Sequence, residues 1–479
     1  MKKRLFTQEA QEFVEKEELS RKSRKQIKKD QILVSKVCSN GIIIETIYKP
    51  EEEETYFAVF KNGEVEYKSK ISLDSNYYRP ICPESDYIKW KAILFPSEAK
   101  NYESLAKLLK EIQKFIHKYV QVSQFYEILV SYYVLLTWIY DRFPEIAYLR
   151  ALGDYGTGKS RFLYTVGSIC YKPMFMNGAT SVSPIFRIIN EIRGTLILDE
   201  ADYKFSDTTQ EITKILNCGF SKGMPVWRSE SINNQHKPKA FNVYGPKILA
   251  GRAPFQDIAL ESRCLVEKMD RRTRKDIPIN LNDEFWQEAE EIRNKCLMFR
   301  FKNYFNLNEN TAEVDESLEP RLNQIIIPLL SIIEDEKDKK EILEFIKKYN
   351  EDLAKDRTYS IDADIVDALV QALETDSSPT MQMITNIFNN QTDIEENIKP
   401  RKMGELIRKK LNLDTNKFRD GYRIVNSPIN IERINNLKKR FGITNCEHVN
   451  IVNVAEEGER DLQQAMEAFD VSEDAVSDT

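Results

Sequence analysis

Histidine, paired cysteines and long apolar runs are scarce in this 479-residue chain. Three histidines and seven cysteines (Cys38, Cys82, Cys170, Cys218, Cys264, Cys296, Cys446) contain no CxxC spacing, which argues against a zinc site or a disulfide framework. An intracellular, cytoplasmic protein is expected. Glycine (16) and proline (17) are too few for a fibrous or linker-dominated chain. The longest apolar run, residues 128–140, spans roughly 20 Å as a helix against a ~30 Å hydrocarbon core, and it carries Ser131 and Thr137. A buried helix is expected there, and no membrane partner. The opening MKKRLFTQEAQEF lacks an apolar signal region, so export is not expected.

What is present begins with charge, and its distribution matters more than its sum. The net charge is −6, but the last 25 residues hold nine acids and one arginine, a net of −8. The remaining 454 residues therefore carry +2. Six of the nine residues 21–29 are basic, and residues 399–440 hold thirteen basic side chains against four acidic. Nucleic acid therefore remains a candidate partner.

Periodicity divides the chain. Residues 1–30 read as a charged arm, either a DNA contact or a soluble helix. Residues 32–37, 42–48, 55–60 and 65–70 are β-branched and aromatic, with Asn40-Gly41 and Asn62-Gly63 as two-residue hairpin turns, so 31–95 is expected to be a small antiparallel β module. Leu105, Leu108, Leu109, Ile112, Phe115, Ile116 and Tyr119 recur at helical spacing. Between 145 and 270 short apolar strands alternate with helical segments, which predicts a parallel sheet covered by helices. The expected fold is α/β: a core with leading helices at 96–285, a helical lid or linker at 286–375, a winged helix-turn-helix at 376–450, and an acidic disordered tail at 451–479.

The core carries the chemistry. Gly153-Asp154-Tyr155-Gly156-Thr157-Gly158-Lys159-Ser160 fits GxxxxGK[ST] between an apolar strand and a helix, the context this phosphate loop requires. Gly153, Gly156 and Gly158 let backbone N–H groups curl toward phosphate oxygens, and Thr157 is a further nucleotide-binding position. Lys159 would reach the β- and γ-phosphates of ATP, and Ser160 would offer its hydroxyl to Mg²⁺. Forty residues after Lys159 a second apolar strand ends in Asp199-Glu200. Asp199 is the expected second Mg²⁺ ligand, and Glu200 the base that polarises the attacking water.

With Leu198-Asp199-Glu200-Ala201-Asp202, the phosphate loop, Ser183-Pro184-Ile185-Phe186-Arg187, Tyr244–Ala250 and Ala259–Cys264, residues 90–345 resemble AAA+ ATPases. The likeness is to superfamily 3 and minichromosome-maintenance-like helicases of plasmids, phages and mobile elements. The resemblance implies a hexameric ring with ATP between subunits and Arg263 as an arginine finger supplied in trans. It usually places a polar residue after the strand 247–250, where this chain has Gly251-Arg252. Arg252 is then either a substitute sensor or a second interface arginine, and Arg321 is a candidate second sensor. The insertion 223–239 is expected as a strand (224–228), a polar tip (229–238) and a return strand, a hairpin that grips single-stranded DNA in the channel. Arg228, His236, Lys237 and Lys239 are its basic candidates. Trp227 could stack on a base, although a tryptophan beside an apolar strand more often packs. The N-terminal β module is expected, by the same analogy, to form a collar between subunits.

Farther on, 381–389 and 400–411 suit two helices and 418–425 a hairpin. Arg401, Lys402, Arg408, Lys409 and Lys410 on the second helix, with Lys417, Arg419 and Arg423 on the hairpin, suit duplex DNA phosphates. The leading expectation is an ATP-driven DNA helicase or translocase in replication of a mobile element. Two others are an AAA+ protein remodeller or defence switch, and a non-enzymatic ATP-gated initiator or regulator.

Overall fold

β-branched and aromatic residues set between turns build two small sheets at the start of the described chain. The computed structural model describes residues 31–443 apart from 75, 200–206, 233–234, 256, 308–314, 359–360 and 393–396. The arm at 1–30 and the tail at 451–479 thus lie outside the described residues.

Strands β2 (Ser35–Val37), β3 (Ile43–Lys49), β4 (Glu54–Lys61) and β5 (Glu64–Lys68) form an antiparallel sheet in sequence order, and β1 (Gln31–Ile32), β6 (Ile71–Leu73) and β7 (Asn76–Arg79) form a second in the order β1-β7-β6. Asn62 and Gly63 both take positive φ, as a two-residue turn demands. At Asn40-Gly41 only Gly41 does so, and β2 and β3 are joined by a longer loop in which Cys38 N–H donates to the Ile42 carbonyl.

Buried charges tie the sheet of β3 to the rest of this unit. Glu45 on β3 is 1% exposed and pairs at 2.9 Å with Lys172 and 2.8 Å with Arg300, both also 1% exposed. Arg300 in turn holds Asp141 at 2.8 Å, and the Tyr171 hydroxyl donates to Glu45. Burial pushes the Lys172 amine down to about 8 despite the carboxylate beside it. Removing one partner of such a cluster strands a charge in the interior and is strongly destabilising.

The helices that follow are set by their caps. α1 (Asp86–Lys89) is one turn. Ser104 and Ser123 accept the backbone N–H groups of Lys107 and Tyr126, starting α2 (Leu105–Tyr119) and α3 (Gln124–Ile139). The apolar run 128–140 is buried from Leu129 to Tyr140, and no described helix is long and apolar enough to cross a membrane.

Next come β8 (Tyr148–Leu152), α4 (Lys159–Gly167), β9 (Met174–Met176), α5 (Val182–Ile192), β10 (Leu196–Leu198), α6 (Asp207–Cys218), β11 (Val226–Ile232), β12 (Gln235–Phe241), β13 (Lys247–Gly251), α7 (Ile258–Glu261) and β14 (Cys264–Lys268). Five of these strands make one all-parallel sheet, β14-β8-β13-β10-β9. In chain order that is 5-1-4-3-2, so the fourth strand separates the first from the third. The crossover helices α5, α6 and α7 bury Ile185, Phe186, Ile189, Ile212, Ile215, Leu216 and Leu260 in a shared core with the sheet. α8 (Asp283–Asn303), capped by Asn282, and α9 (Pro320–Leu330) complete this unit, which ends inside α10 (Glu336–Thr358).

The second unit is described by itself. α11 (Ile361–Thr375), α12 (Met381–Gln391), α13 (Pro400–Lys409), β15 (Thr415–Phe418), β16 (Gly421–Ile424) and α14 (Pro428–Phe441) share one core, with Ile365, Leu369, Ile384, Phe388, Met403, Ile407, Ile424 and Leu437. The helix 361–375, read from sequence as part of a lid, therefore belongs to this unit. Its inward residues pair with α12, a fact that no local periodicity carries.

Candidate functional site

The first strand of the five-stranded sheet delivers the glycine loop to the sheet's C-terminal edge, where ligands of open α/β sheets are bound. Gly156 and Gly158 stand at φ of 80° and 94°, a conformation that glycine adopts without strain. A side chain at Gly153 would lie 2.4 Å from the Met269 carbonyl, so only glycine fits that approach. Thr157 is buried, its hydroxyl donating to the Asp154 carbonyl at 2.9 Å. Gly158 caps α4, and Lys159 is its first residue.

Lys159 folds over the loop, its amine donating to the carbonyls of Gly153 and Asp154 at 2.6 Å each. The exposed Ser160 hydroxyl donates to Asp199 Oδ2 at 2.6 Å. Asp199 follows β10, two strands away from β8, and its backbone N–H is anchored on the Met176 carbonyl. Ser160 and Asp199 thus meet across the end of β13. Glu200 lies outside the described residues.

β13 ends at Gly251, in register with Leu152, and the Gly153 N–H donates to the Gly251 carbonyl at 3.2 Å. Arg252 is exposed and stands one residue beyond that contact, beside the loop. The segment carrying it is held from below by Arg150, a buried arginine in the middle of β8 that sequence reasoning passed over. Its guanidinium donates to Glu261 and, at 2.6 Å, to the Ala253 carbonyl, and lies 3.6 Å from the centre of the Phe255 ring. A charge inside the apolar strand Tyr148–Leu152 was the available signal.

Arg263 is placed elsewhere. Its carbonyl accepts the Tyr148 N–H at the start of β8, roughly 13 Å of strand from Leu152 and the loop. Only 9% exposed, it donates to Asn217 at 2.8 Å and to the Ala259 carbonyl, and lies over Phe220. Burial, then the neighbouring Arg321, pulls its pKa down. Arg321 covers the same ring at 5.0 Å and donates to Gln324. The structure therefore brings Arg321 to Arg263 and not to the chain's own loop, which runs against a sensor role for it there.

The insertion is a longer hairpin than its polarity suggests. β11 and β12 pair over seven positions, from Val226↔Phe241 to Ile232↔Gln235, so most of the expected polar tip is strand. Both faces near the end are solvated, which erases the apolar alternation that marks a half-buried strand. Arg228, Glu230, Lys237 and Lys239 share one face. Glu230 accepts from Lys239 at 2.9 Å and from Arg187 on α5, while Arg228 lies 3.5 Å from Glu211 and over Phe186. These partners hold the Glu230 carboxyl below its ordinary range. The opposite face carries Trp227, Ser229, Ser231, His236 and Pro238. Trp227 is 61% exposed, so the packing expected of it is not found. His236 and Lys237 are exposed.

In the second unit Arg401, Lys402, Arg408 and Lys409 are exposed on α13. Lys402 lies 3.7 Å from Glu405, and Arg408 donates to Thr415 and covers Tyr422. Lys410 pairs with Asp362 at 2.9 Å. Arg423 departs from the sequence reading. It clasps Asp420, Asp376 and the Ser378 carbonyl, tying the hairpin to the connection between α11 and α12. Lys417 and Arg419 remain exposed around the hairpin turn.

Among solved structures, the chain is similar to the C-terminal region of NrS-1, at 12% identity over 80% of this chain and 96% of that one, with a TM-score of 0.37. It is also similar to the active helicase Cch of SCCmec type IV, at 11% identity over 82% and 94%, TM-score 0.35. The ORC1 protein of Aeropyrum pernix in complex with DNA follows at 13% over 69% and 96%, TM-score 0.21. No family model and no curated protein matches the chain. At such scores these likenesses add nothing to the site, whose reading rests on its own residues.

Proposed function

We propose that this chain is an ATP hydrolase of the P-loop, AAA+ kind that moves along or unwinds DNA, as a replicative helicase of a mobile element, plasmid or virus does. The observation that carries the nucleotide half is the 2.6 Å contact between Ser160 and Asp199 at the mouth of the glycine loop. A hydroxyl and a carboxylate are the hard oxygen donors that Mg²⁺ takes together with phosphate oxygens, and the close approach at Gly153 with positive φ at Gly156 and Gly158 leaves a backbone cradle for phosphates.

In this reading Lys159 exchanges its two carbonyl acceptors for phosphate oxygens. Ser160 and Asp199 would hold Mg²⁺, which would supply positive charge to the phosphoryl oxygens. Glu200 takes the proton of the attacking water, and Arg252 reads the phosphate state beside the loop. Arg263 acts on the nucleotide of a neighbouring subunit after leaving Asn217 and Ala259, in a ring of six. The hairpin β11–β12 presents Trp227 and His236 to a single strand, and the helix α13 with its hairpin serves as a winged helix on duplex phosphates.

The deciding experiment is ATP hydrolysis with and without single-stranded and forked DNA, with solution mass measured in nucleotide. DNA-stimulated turnover by a species near six subunits is the expected result. Turnover indifferent to DNA would shift the reading to a protein remodeller or switch. A Glu200→Gln chain that still functions would shift it to an ATP-gated initiator.

A further inference from the structure

A shallow depression of roughly 430 Å³ opens between α2, Glu127 on α3 and the segment 269–276. Its lining is entirely charged or polar, with Lys110, Lys114, His117 and Lys118 from α2 facing Arg274 and two carboxylates, Glu127 and Asp276, beside them. Pockets for small organic ligands are mostly apolar with a few polar groups, so this one suits a different occupant. The four α2 residues recur at helical spacing along one side, a row of about 12 Å from Lys110 to Lys118. A row of that length fits a linear polyanion better than a single anion.

The basic side chains divide into two sets. Lys118 is held by Glu284 and Glu288 at 2.7 Å each, Arg274 by Asp276, and His117 lies 3.0 Å from Glu127. Lys110 and Lys114 are exposed and make no ion pair among the described residues.

The segment also leads to the nucleotide loop. At one end Met269 N–H donates to the Leu152 carbonyl at 2.6 Å, and its own carbonyl fills the space beside Gly153. At the other end Gln121 accepts the N–H groups of Thr273 and Arg274, and Arg274 donates to the His117 carbonyl at 2.8 Å. One strap thus joins the basic row to the residue that follows the first strand of the sheet.

We infer that this depression is a binding surface for the phosphate backbone of a nucleic-acid strand, separate from the hairpin, whose occupancy bears on the nucleotide loop through the strap. The inference rests on the proposed action on DNA. The test uses the full chain and its Lys110→Ala/Lys114→Ala variant, both exposed helix positions where alanine is well tolerated. Binding of a 30-nucleotide oligo(dT) is titrated against salt, and basal and DNA-stimulated hydrolysis are measured alongside.

The expected result is affinity lower by roughly fivefold at low salt, and a salt slope shallower by about 1.4 for two lost phosphate contacts. More DNA is then needed for half-maximal stimulation, and basal hydrolysis is unchanged. An unchanged affinity and slope in the variant, with Trp227→Ala still weakening binding, overturns this surface and leaves the proposed function standing. Failure of the unaltered chain to bind the oligonucleotide at all overturns both.

Discussion

The C-terminal edge of the five-stranded sheet and the β11–β12 hairpin both carry polar side chains, and they hold them by different means. At the edge the backbone does the holding. Positive φ at Gly156 and Gly158 sets the path, the Met269 carbonyl closes on Gly153, and Lys159 rests on two main-chain carbonyls. On the hairpin the side chains hold one another, with Glu230 between Arg187 and Lys239 and Arg228 beside Glu211. A backbone-held site aims its groups with little reorganisation when a ligand arrives, and tolerates almost no substitution. A pair-held surface in solvent is weakly fixed and easily redistributed. Aimed chemistry belongs to the first, and adaptable contact with a flexible polymer to the second.

The largest effect expected from this contrast is at Lys159. Lys159→Ala should lower phosphate release at saturating ATP by at least about 100-fold, with the thermal unfolding midpoint little changed. Since among the described residues its amine touches only carbonyls of its own loop, a merely structural role would instead appear as a lowered midpoint with turnover preserved per folded molecule. That result would break the contrast at its stronger side.

On the hairpin the counterpart is Trp227. At 61% exposure it adds little to stability. A stacked base is worth ~1–3 kcal/mol, so Trp227→Ala should weaken single-strand binding by about tenfold while leaving basal hydrolysis intact. Equal loss of both activities would mean that the hairpin is not a separate surface.

The same contrast explains what could be read from the residues alone. A backbone-held loop needs glycines, a lysine and a hydroxyl at fixed intervals, and β8, α4 and the strand ending at Asp199 fall where that spacing puts them. The hairpin's extent was underestimated because Ser229, Ser231, His236 and Pro238 face water and carry no apolar alternation. The partners of Arg150, Arg263 and Arg423 are not legible in sequence. Only folding shows that one supports the post-β13 segment, one lies over Phe220, and one clasps Asp376 and Asp420. Likewise, nothing near Glu45 announces that Arg300, 255 residues away, is its partner.

Lys247 joins the two regions. Buried at the start of β13, its amine donates to the carbonyls of Gly219, Val243 and Gly245, the end of α6 and the chain returning from the hairpin. Burial, with no carboxylate partner among the described residues, pushes its pKa down to about 7, from an ordinary 10.5. In that window the unfolded chain binds one more proton than the folded one. Stability from this group is therefore complete above about 10.5 and lost as pH falls toward 7, by up to ~1.4 kcal/mol per pH unit. Urea midpoints at pH 7.5 and 9.5 should rise more for the unaltered chain than for Lys247→Met. Parallel shifts would show that the amine stays charged against its three carbonyls.

The smallest effect, and the sharpest for the hairpin, is at Glu230. Glu230→Gln removes the carboxylate that Arg187 and Lys239 share, leaving both cations on the surface beside Arg228. Exposed pairs contribute little to stability, so the unfolding midpoint should stay within a degree or two. Single-strand affinity at low salt should rise a few-fold, with a salt slope steeper by about 0.7 for each cation newly engaged. If affinity is instead unchanged while Trp227→Ala weakens it, DNA meets only the Trp227 face. The paired basic face would then be turned permanently onto α5, and the division between a held site and an adaptable one would run through the hairpin itself.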